Sequence, residues 1–291
     1  MYGIGAWADK ISQGLDTELS LARLRRKHTL EQRVAGRTVL ITGASSGIGR
    51  AAAVRVGAAG AKVALLARRE SELRDVAQEI EQAGGKAFVY PCDLNDFEAL
   101  DSAAERVLVE HDGVDILVNN AGRSIRRIVA ESYDRFHDYE RTMRLNYFAA
   151  TRLVLAVLPG MRERRDGQIV NVLSVANLAG GPGYGAYLAS KAALDTLTTT
   201  LQAETLTENI RFSSVYMPLV QTPMTAANPH FRDRGLTPAD AARAVCDAII
   251  DRPRRIAPAI GRLMALIETV SPETADSSRN AHFNAHFVKG R

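Results

Sequence analysis

The chain is predicted to fold as α/β, a doubly wound parallel sheet flanked by helices on both faces. Three observations predict it. From Thr38 onward, short apolar runs alternate with longer helix-like stretches, the pattern of successive strand–helix–strand units. The runs are rich in Val, Ile and Leu and do not alternate strictly with polar residues, as expected for strands covered on both faces. The first run is followed at once by a glycine-bearing turn and an alanine-rich stretch, "TVLITGASSGIGRAAA".

The strand candidates, in order, are "TVLITG" (38–43), "KVALLA" (62–67), "KAFVYP" (86–91), "DILVNN" (115–120), "QIVNVLS" (168–174) and "RFSSVYMP" (211–218). Between them, 47–59, 70–83, 95–111, 132–165 and 187–209 are long enough for crossover helices. The fourth helix is predicted to start at a Ser132 cap. Its length suits a face packed on another subunit. Residues 37–258 are expected to form this domain. Residues 1–36 stand outside the pattern as a helical, basic extension: Ile4, Trp7, Ile11 and Leu15 recur at helical spacing before "RLRRKH". Such an arm packs on its own domain or a partner, or lies on a membrane surface; a polar face short of Lys disfavours the last. Residues 259–291 read as an amphipathic helix, "IGRLMALIETV" (260–270), and a loosely ordered tail, "RNAHFNAHFVKGR".

Composition removes several function classes. Two cysteines, Cys92 and Cys246, make no disulfide framework among 291 residues and read as reduced thiols. No apolar run approaches the roughly 18 residues of a membrane span, and no secretory leader pattern is visible, so a soluble, cytoplasmic protein is expected. The net charge of +4 sits at the ends. Residues 1–36 carry six Lys/Arg against four Asp/Glu and residues 252–291 seven against three, which leaves the middle at −2. That argues against a nucleic-acid groove and leaves room for a weak contact between the termini and an anionic surface. His282 and His286 stand four apart without a third ligand, so no metal site is expected.

In the first turn, Gly43, Gly47 and Gly49 let the backbone bend tightly and approach a pyrophosphate at a helix N-terminus. The spacing is Gly-x₃-Gly-x-Gly. Where a dinucleotide site that prefers NAD has an acidic residue, the second strand ends in Ala67, Arg68 and Arg69. A guanidinium offers a charge-assisted fork to a 2′-phosphate, and Ser45 and Ser46 add hydroxyl donors, so NADP(H) is expected over NAD(H). The competing reading is that Arg68 and Arg69, the latter above all, merely solvate a helix start. Asp93, in "YPCDL", can accept from an adenine amino group or cap a helix. Asn120, Ala121 and Gly122, in "VNNAG", bring small backbone to the same rim.

In "GYGAYLASKAAL", Tyr187 and Lys191 stand one helical turn apart, on one face. A free phenol titrates near pH 10, at about 10. A nearby ammonium favours the phenolate and is expected to bring Tyr187 toward the range of general acid–base work. Ser174, thirteen positions earlier, can hydrogen-bond a carbonyl from the other side.

Glycine turn, "NNAG", Ser174, Tyr187 and Lys191 together resemble the short-chain dehydrogenase/reductase family, over about residues 36–250. The resemblance implies a Rossmann-type fold. It makes Tyr187 the general acid or base, Lys191 the ligand of the nicotinamide ribose and Ser174 the group that orients the carbonyl. It makes Asn146, in "MRLNYFAAT", the holder of a relay water. It also implies cofactor contacts at Ile48, Leu94, Val220 and Thr222, the last near the carboxamide, and a homodimer or homotetramer. Two departures stand out. "YMPLVQTPM" lacks the family's glycine after proline and is one residue shorter, and Leu173 replaces a common first serine.

"NNAGRSIRRIVAESYDRFHDYERTMRLNYFAATR" and "MPLVQTPM" further resemble the reductase domain of bacterial fatty acyl-CoA reductases and their mycobacterial-type relatives. That implies a lipid-like substrate, a long-chain acyl-CoA or fatty aldehyde, reduced with NADPH. Arg123, Arg126 and Arg127 then either meet the phosphates of a CoA ester or form a solvated face. Loop 224–236 is expected in the substrate wall. The rivals are an alcohol or hydroxysteroid dehydrogenase working oxidatively and a catalytically idle cofactor- or partner-binding protein.

Overall fold

The computed structural model describes residues 27–226, 231 and 234–288; the amphipathic run through Ile4 and Leu15 lies outside them. A short helix, α1 (Leu30–Val34), opens the described chain, with Thr29 and Gln32 closing a reciprocal capping box. Then β1 (Thr38–Thr42), α2 (Gly47–Ala58), β2 (Lys62–Ala67), α3 (Glu70–Gln82), β3 (Lys86–Pro91), α4 (Phe97–Glu110) and β4 (Ile116–Asn119) follow. After a long loop come α5 (Phe136–Met143), α6 (Ala149–Arg164), β5 (Gly167–Ser174), the single turn α7 (Ala176–Ala179), α8 (Gly185–Thr205) and β6 (Ile210–Met217). The chain continues with α9 (Pro223–Ala226), α10 (Pro238–Asp251), β7 (Arg255–Ile256), α11 (Ala259–Val270) and α12 (Pro272–Phe283).

The sheet order is β3-β2-β1-β4-β5-β6-β7, and every pairing is parallel. The chain winds outward from β1 to β3, then crosses to β4 and winds the other way. The switch point therefore lies between the carboxyl ends of β1 and β4, where open α/β sheets bind their ligands. Strand pleating divides the core. Val39 and Ile41 of β1 join α2, α3 and α10 on one face through Val56, Ile80 and Ile249. Leu40 joins α4 and α6 on the other through Leu100, Val107 and Leu153. Each of these side chains is almost fully removed from water, worth roughly 1.5–3 kcal/mol apiece.

Several elements differ from the sequence reading. Ser132 caps no helix: its hydroxyl donates to the Ile128 carbonyl at 2.8 Å, closing the turn Val129–Glu131, and α5 begins only at Phe136. Between α5 and α6 the helix widens into a π turn at Arg144–Phe148, a distortion frequent at functional sites. Helix α10 was absent from the sequence reading, although Thr237 caps it and Pro238 occupies its first turn. The stretch 279–288, expected to be loosely ordered, is helical. Among the described residues no helix is long and apolar enough to cross a membrane.

Candidate active site

The carboxyl rim of β1 forms a cradle that only glycine backbone permits. Gly43 and Gly47 have φ of +65° and +56°, the left-handed region that side chains disfavour. A Cβ on Gly49 would overlap the Gly43 carbonyl and lie 2.5 Å from Asn120 Nδ2. One on Gly47 would lie 3.0 Å from Thr222 Cγ2, so the shortened segment after β6 delivers Thr222 to the turn. Ser46 precedes α2 without a side-chain capping bond, leaving the first amides of the helix for another acceptor. Ser45 is buried, and Ile48 packs on the core from the first turn.

Asn120 braces the cradle. Its Nδ2 donates to the Thr42 carbonyl at 3.0 Å, while Thr42 Oγ1 accepts from the Asn120 and Ala121 amides, both at 3.0 Å. From β2, Arg69 is the arginine that reaches the turn. Its Nη2 donates to Ser45 Oγ at 3.3 Å and Ser46 Oγ at 3.4 Å, and its Nη1 pairs with Glu72 at 2.6 Å. Arg68 is exposed and acts electrostatically on Asp93. Burial opposes ionisation of Asp93, but hydrogen bonds from Asn95 and the charges of Arg68 and Arg123 hold its carboxyl below the usual range. Asp93 is not the helix cap; Asp96 caps α4. Leu94 is buried beside it.

At the carboxyl end of β5 and the start of α8 stand the candidate reacting residues Ser174, Tyr187 and Lys191. The Ser174 hydroxyl lies close enough to the Tyr187 phenol to favour its ionised form and accepts from the Ala176 amide at 3.2 Å. Lys191 is buried, and its Nζ donates to the Val172 carbonyl at 2.8 Å. A Cβ on Gly122 would lie 3.4 Å from that Nζ and 3.3 Å from Asn146 Oδ1, so Gly122 brings the two together. In the π turn, the Asn146 carboxamide is clamped. Its Oδ1 accepts from the Arg123 amide at 2.8 Å, and its Nδ2 donates to the Arg123 carbonyl and Ser190 Oγ, both at 2.9 Å.

The electrostatics correct one expectation. Tyr187 is not drawn down toward neutrality. Burial pushes its phenol up to about 12, and the Ser174 hydroxyl opposes this only in part. Lys191 is itself pulled down to about 8 by burial. Desolvation is the largest cause of both shifts, and an attraction between the two groups contributes to neither.

The arginine cluster after β4 divides. Arg127 Nε donates to Asp138, a buried carboxylate, at 2.8 Å. Arg126 lies 4.1 Å over the Phe287 ring. Arg123 is partly buried, among the charges of Arg141, Arg68 and Asp93. Val220 is buried and bridges to Leu236; of loop 224–236, residues 227–230, 232 and 233 lie outside the described chain. Cys92 and Cys246 are buried free thiols. Among the described residues, no three His, Cys, Asp or Glu side chains gather as a metal site would require.

A doubly wound sheet with a glycine cradle at its switch point, a serine at the end of β5 and a Tyr–Lys pair at the start of the following long helix defines a class, and the chain belongs to it. The short chain dehydrogenase family model matches residues 37–233. An uncharacterized oxidoreductase of Mycobacterium tuberculosis is 51% identical over 259 residues, covering 88% of this chain and 76% of that protein. A fatty acyl-CoA reductase of Acinetobacter baylyi is 48% identical over 254 residues, covering 87% and 86%. Among solved structures, a metagenomic short-chain oxidoreductase in complex with NADP superposes with a TM-score of 0.67 at 30% identity, covering 77% of this chain and 97% of that one.

Proposed function

We propose that this oxidoreductase reduces the carbonyl of a long-chain acyl-CoA or fatty aldehyde with NADPH. The observation that carries the reading is the placing of Ser174 near the Tyr187 phenol, with Lys191 buried one helical turn on from it, across β4 from a cradle that added Cβ atoms would fill. That cradle fits a dinucleotide pyrophosphate. Gly43, Gly47 and Gly49 admit it, the first amides of α2 receive its charge, and Arg69, Ser45 and Ser46 stand where a 2′-phosphate would be gripped. Arg68 and Asp93 flank the adenine end. When bound, NADPH supplies the hydride.

The protein supplies the proton and its control. A phenol near 12 is neutral at physiological pH, so Tyr187 is poised to give a proton to a carbonyl oxygen. Ser174 donates to the same oxygen, fixing it within reach of Tyr187. Lys191, beside the cleft with an ammonium that burial has already strained, gains stability once a phenolate forms, and so assists the transfer. Asn146 holds the Arg123 backbone and, through Ser190, the Tyr187 carbonyl. The second lone pair of its Oδ1 is the place for a relay water.

The fatty substrate class is supported by the similarity to the Acinetobacter reductase. Arg123 is the arginine of the cluster left for a CoA phosphate, since Arg127 is occupied by Asp138 and Arg126 by Phe287. Exposed Phe148 and Leu155 beside and on α6 support self-association through that face. The test is NADPH and NADH consumption with long-chain acyl-CoAs, fatty aldehydes and ketosteroids. Turnover of the first two with NADPH is expected. Turnover confined to ketosteroids would refute the substrate class, and a preference for NADH the cofactor.

A further inference from the structure

Residues 259–288 lie beyond the span matched by the family model, 37–233, yet they grip the segment between Ser174 and Tyr187. Helix α11 packs on α7 so closely that a Cβ on Gly261 would lie 2.6 Å from Val175 Cγ2 and 3.3 Å from Leu178 Cδ1. From α12, Arg279 Nε donates to the Ala179 carbonyl at 3.0 Å, at the carboxyl end of α7, where backbone acceptors otherwise lack partners. The rest of its guanidinium is fixed within the C-terminal segment, by Asp276 at 3.0 Å and by Glu268 of α11. A Cβ on the next residue, Gly180, would overlap Arg279 Nε. Further along, a Cβ on Gly183 would lie 2.7 Å from Phe287 Cζ. The Arg127 amide donates to the Gly183 carbonyl at 2.7 Å.

We infer that Arg279 is a positioning residue for the reacting pair: anchored to Glu268 and Asp276, it fixes the 175–184 segment and with it the approach of Tyr187 to Ser174. It touches neither reacting group. Its fork spans acceptors on three elements, α7, α11 and α12, which one ammonium on a flexible stem does not reproduce. Loosening this segment frees the two hydroxyls to separate, and a misplacement of about 1 Å can cost a catalytic site roughly 10²-fold. The nucleotide cradle on β1 and α2 shares no bond with Arg279.

The inference rests on the proposed roles of Ser174 and Tyr187, and its test separates the two. Full-length Arg279→Ala and Arg279→Lys proteins are compared with the native chain in three measurements: NADPH affinity by fluorescence titration, kcat and KM for the carbonyl substrate, and hydrogen exchange of the 176–188 amides. The expected result for Arg279→Ala is exchange at 176–184 faster by tenfold or more, kcat lower by about 10- to 100-fold and an NADPH Kd within twofold of native. Arg279→Lys should recover only part of kcat. Unchanged exchange overturns the inference, as does raised exchange with native kcat. An NADPH Kd that worsens in step with kcat also overturns it, because that marks general loss of structure. A native chain that reduces no carbonyl would instead defeat the proposed function, while the exchange rates still decide whether Arg279 holds the segment.

Discussion

Replacing Lys191 by Met tests the buried cation quantitatively. Burial lowers the Lys191 pKa from 10.5 to about 8 in the folded, cofactor-free protein. The folded state therefore binds this proton more weakly than the unfolded chain. The sign follows from linkage: stability rises with pH wherever the unfolded state holds more protons. Below pH 8 the side chain is charged in both states and folding bears the full desolvation cost. Above 10.5 it is neutral in both, and the cost is gone. At 1.36 kcal/mol per pKa unit, the difference is about 3 kcal/mol. Met fills similar volume without the charge, so Lys191→Met lacks this dependence. The assay is urea unfolding of both proteins, without cofactor, across this window. Tyr187, raised to about 12, contributes to both proteins and largely cancels in the comparison. Native stability relative to Lys191→Met should climb by about 3 kcal/mol as pH rises from about 8 to about 10.5. A difference independent of pH, or one falling with pH, would refute the assignment of a desolvated ammonium.

Two further outcomes are expected at the cradle. Gly49→Ala should weaken NADPH binding by tenfold or more, measured by titration, because the new methyl overlaps the Gly43 carbonyl and presses on Asn120. Arg69→Ala should lower NADPH affinity by about 10- to 100-fold, the worth of one charge-assisted hydrogen bond at roughly 1.5–3 kcal/mol, and leave NADH affinity nearly unchanged; Arg68→Ala measured beside it shows which guanidinium matters more.

The sheet was largely legible because its strands are continuous Val/Ile/Leu runs. Lys62–Ala67 and Lys86–Pro91 fall where the sequence placed them. The glycine turn was legible for a steric reason that spacing preserves. Other features depended on three-dimensional facts without a local signature. Arg68 and Arg69 are adjacent in sequence, and only the folded backbone decides that Arg69 meets Ser45 and Ser46. The spacing of Tyr187 and Lys191 suggested attraction but not the burial that dominates both groups. The π turn at Asn146 carries no composition cue. Helix α10 did have a readable start in Thr237 and Pro238. The tail 279–288 looked loose because Arg279 and Phe287 meet partners far away in sequence, Ala179 and Arg126.

The central claim is that the Tyr187 hydroxyl delivers the proton. Tyr187→Phe removes that one oxygen and keeps the ring, so NADPH affinity and turnover measured on the same preparation give the most direct test. Turnover lower by about 10²- to 10⁴-fold, the usual range for a lost general acid, with NADPH Kd within twofold of native is the predicted result. Turnover within threefold of native, or a loss matched by weaker NADPH binding, would contradict it.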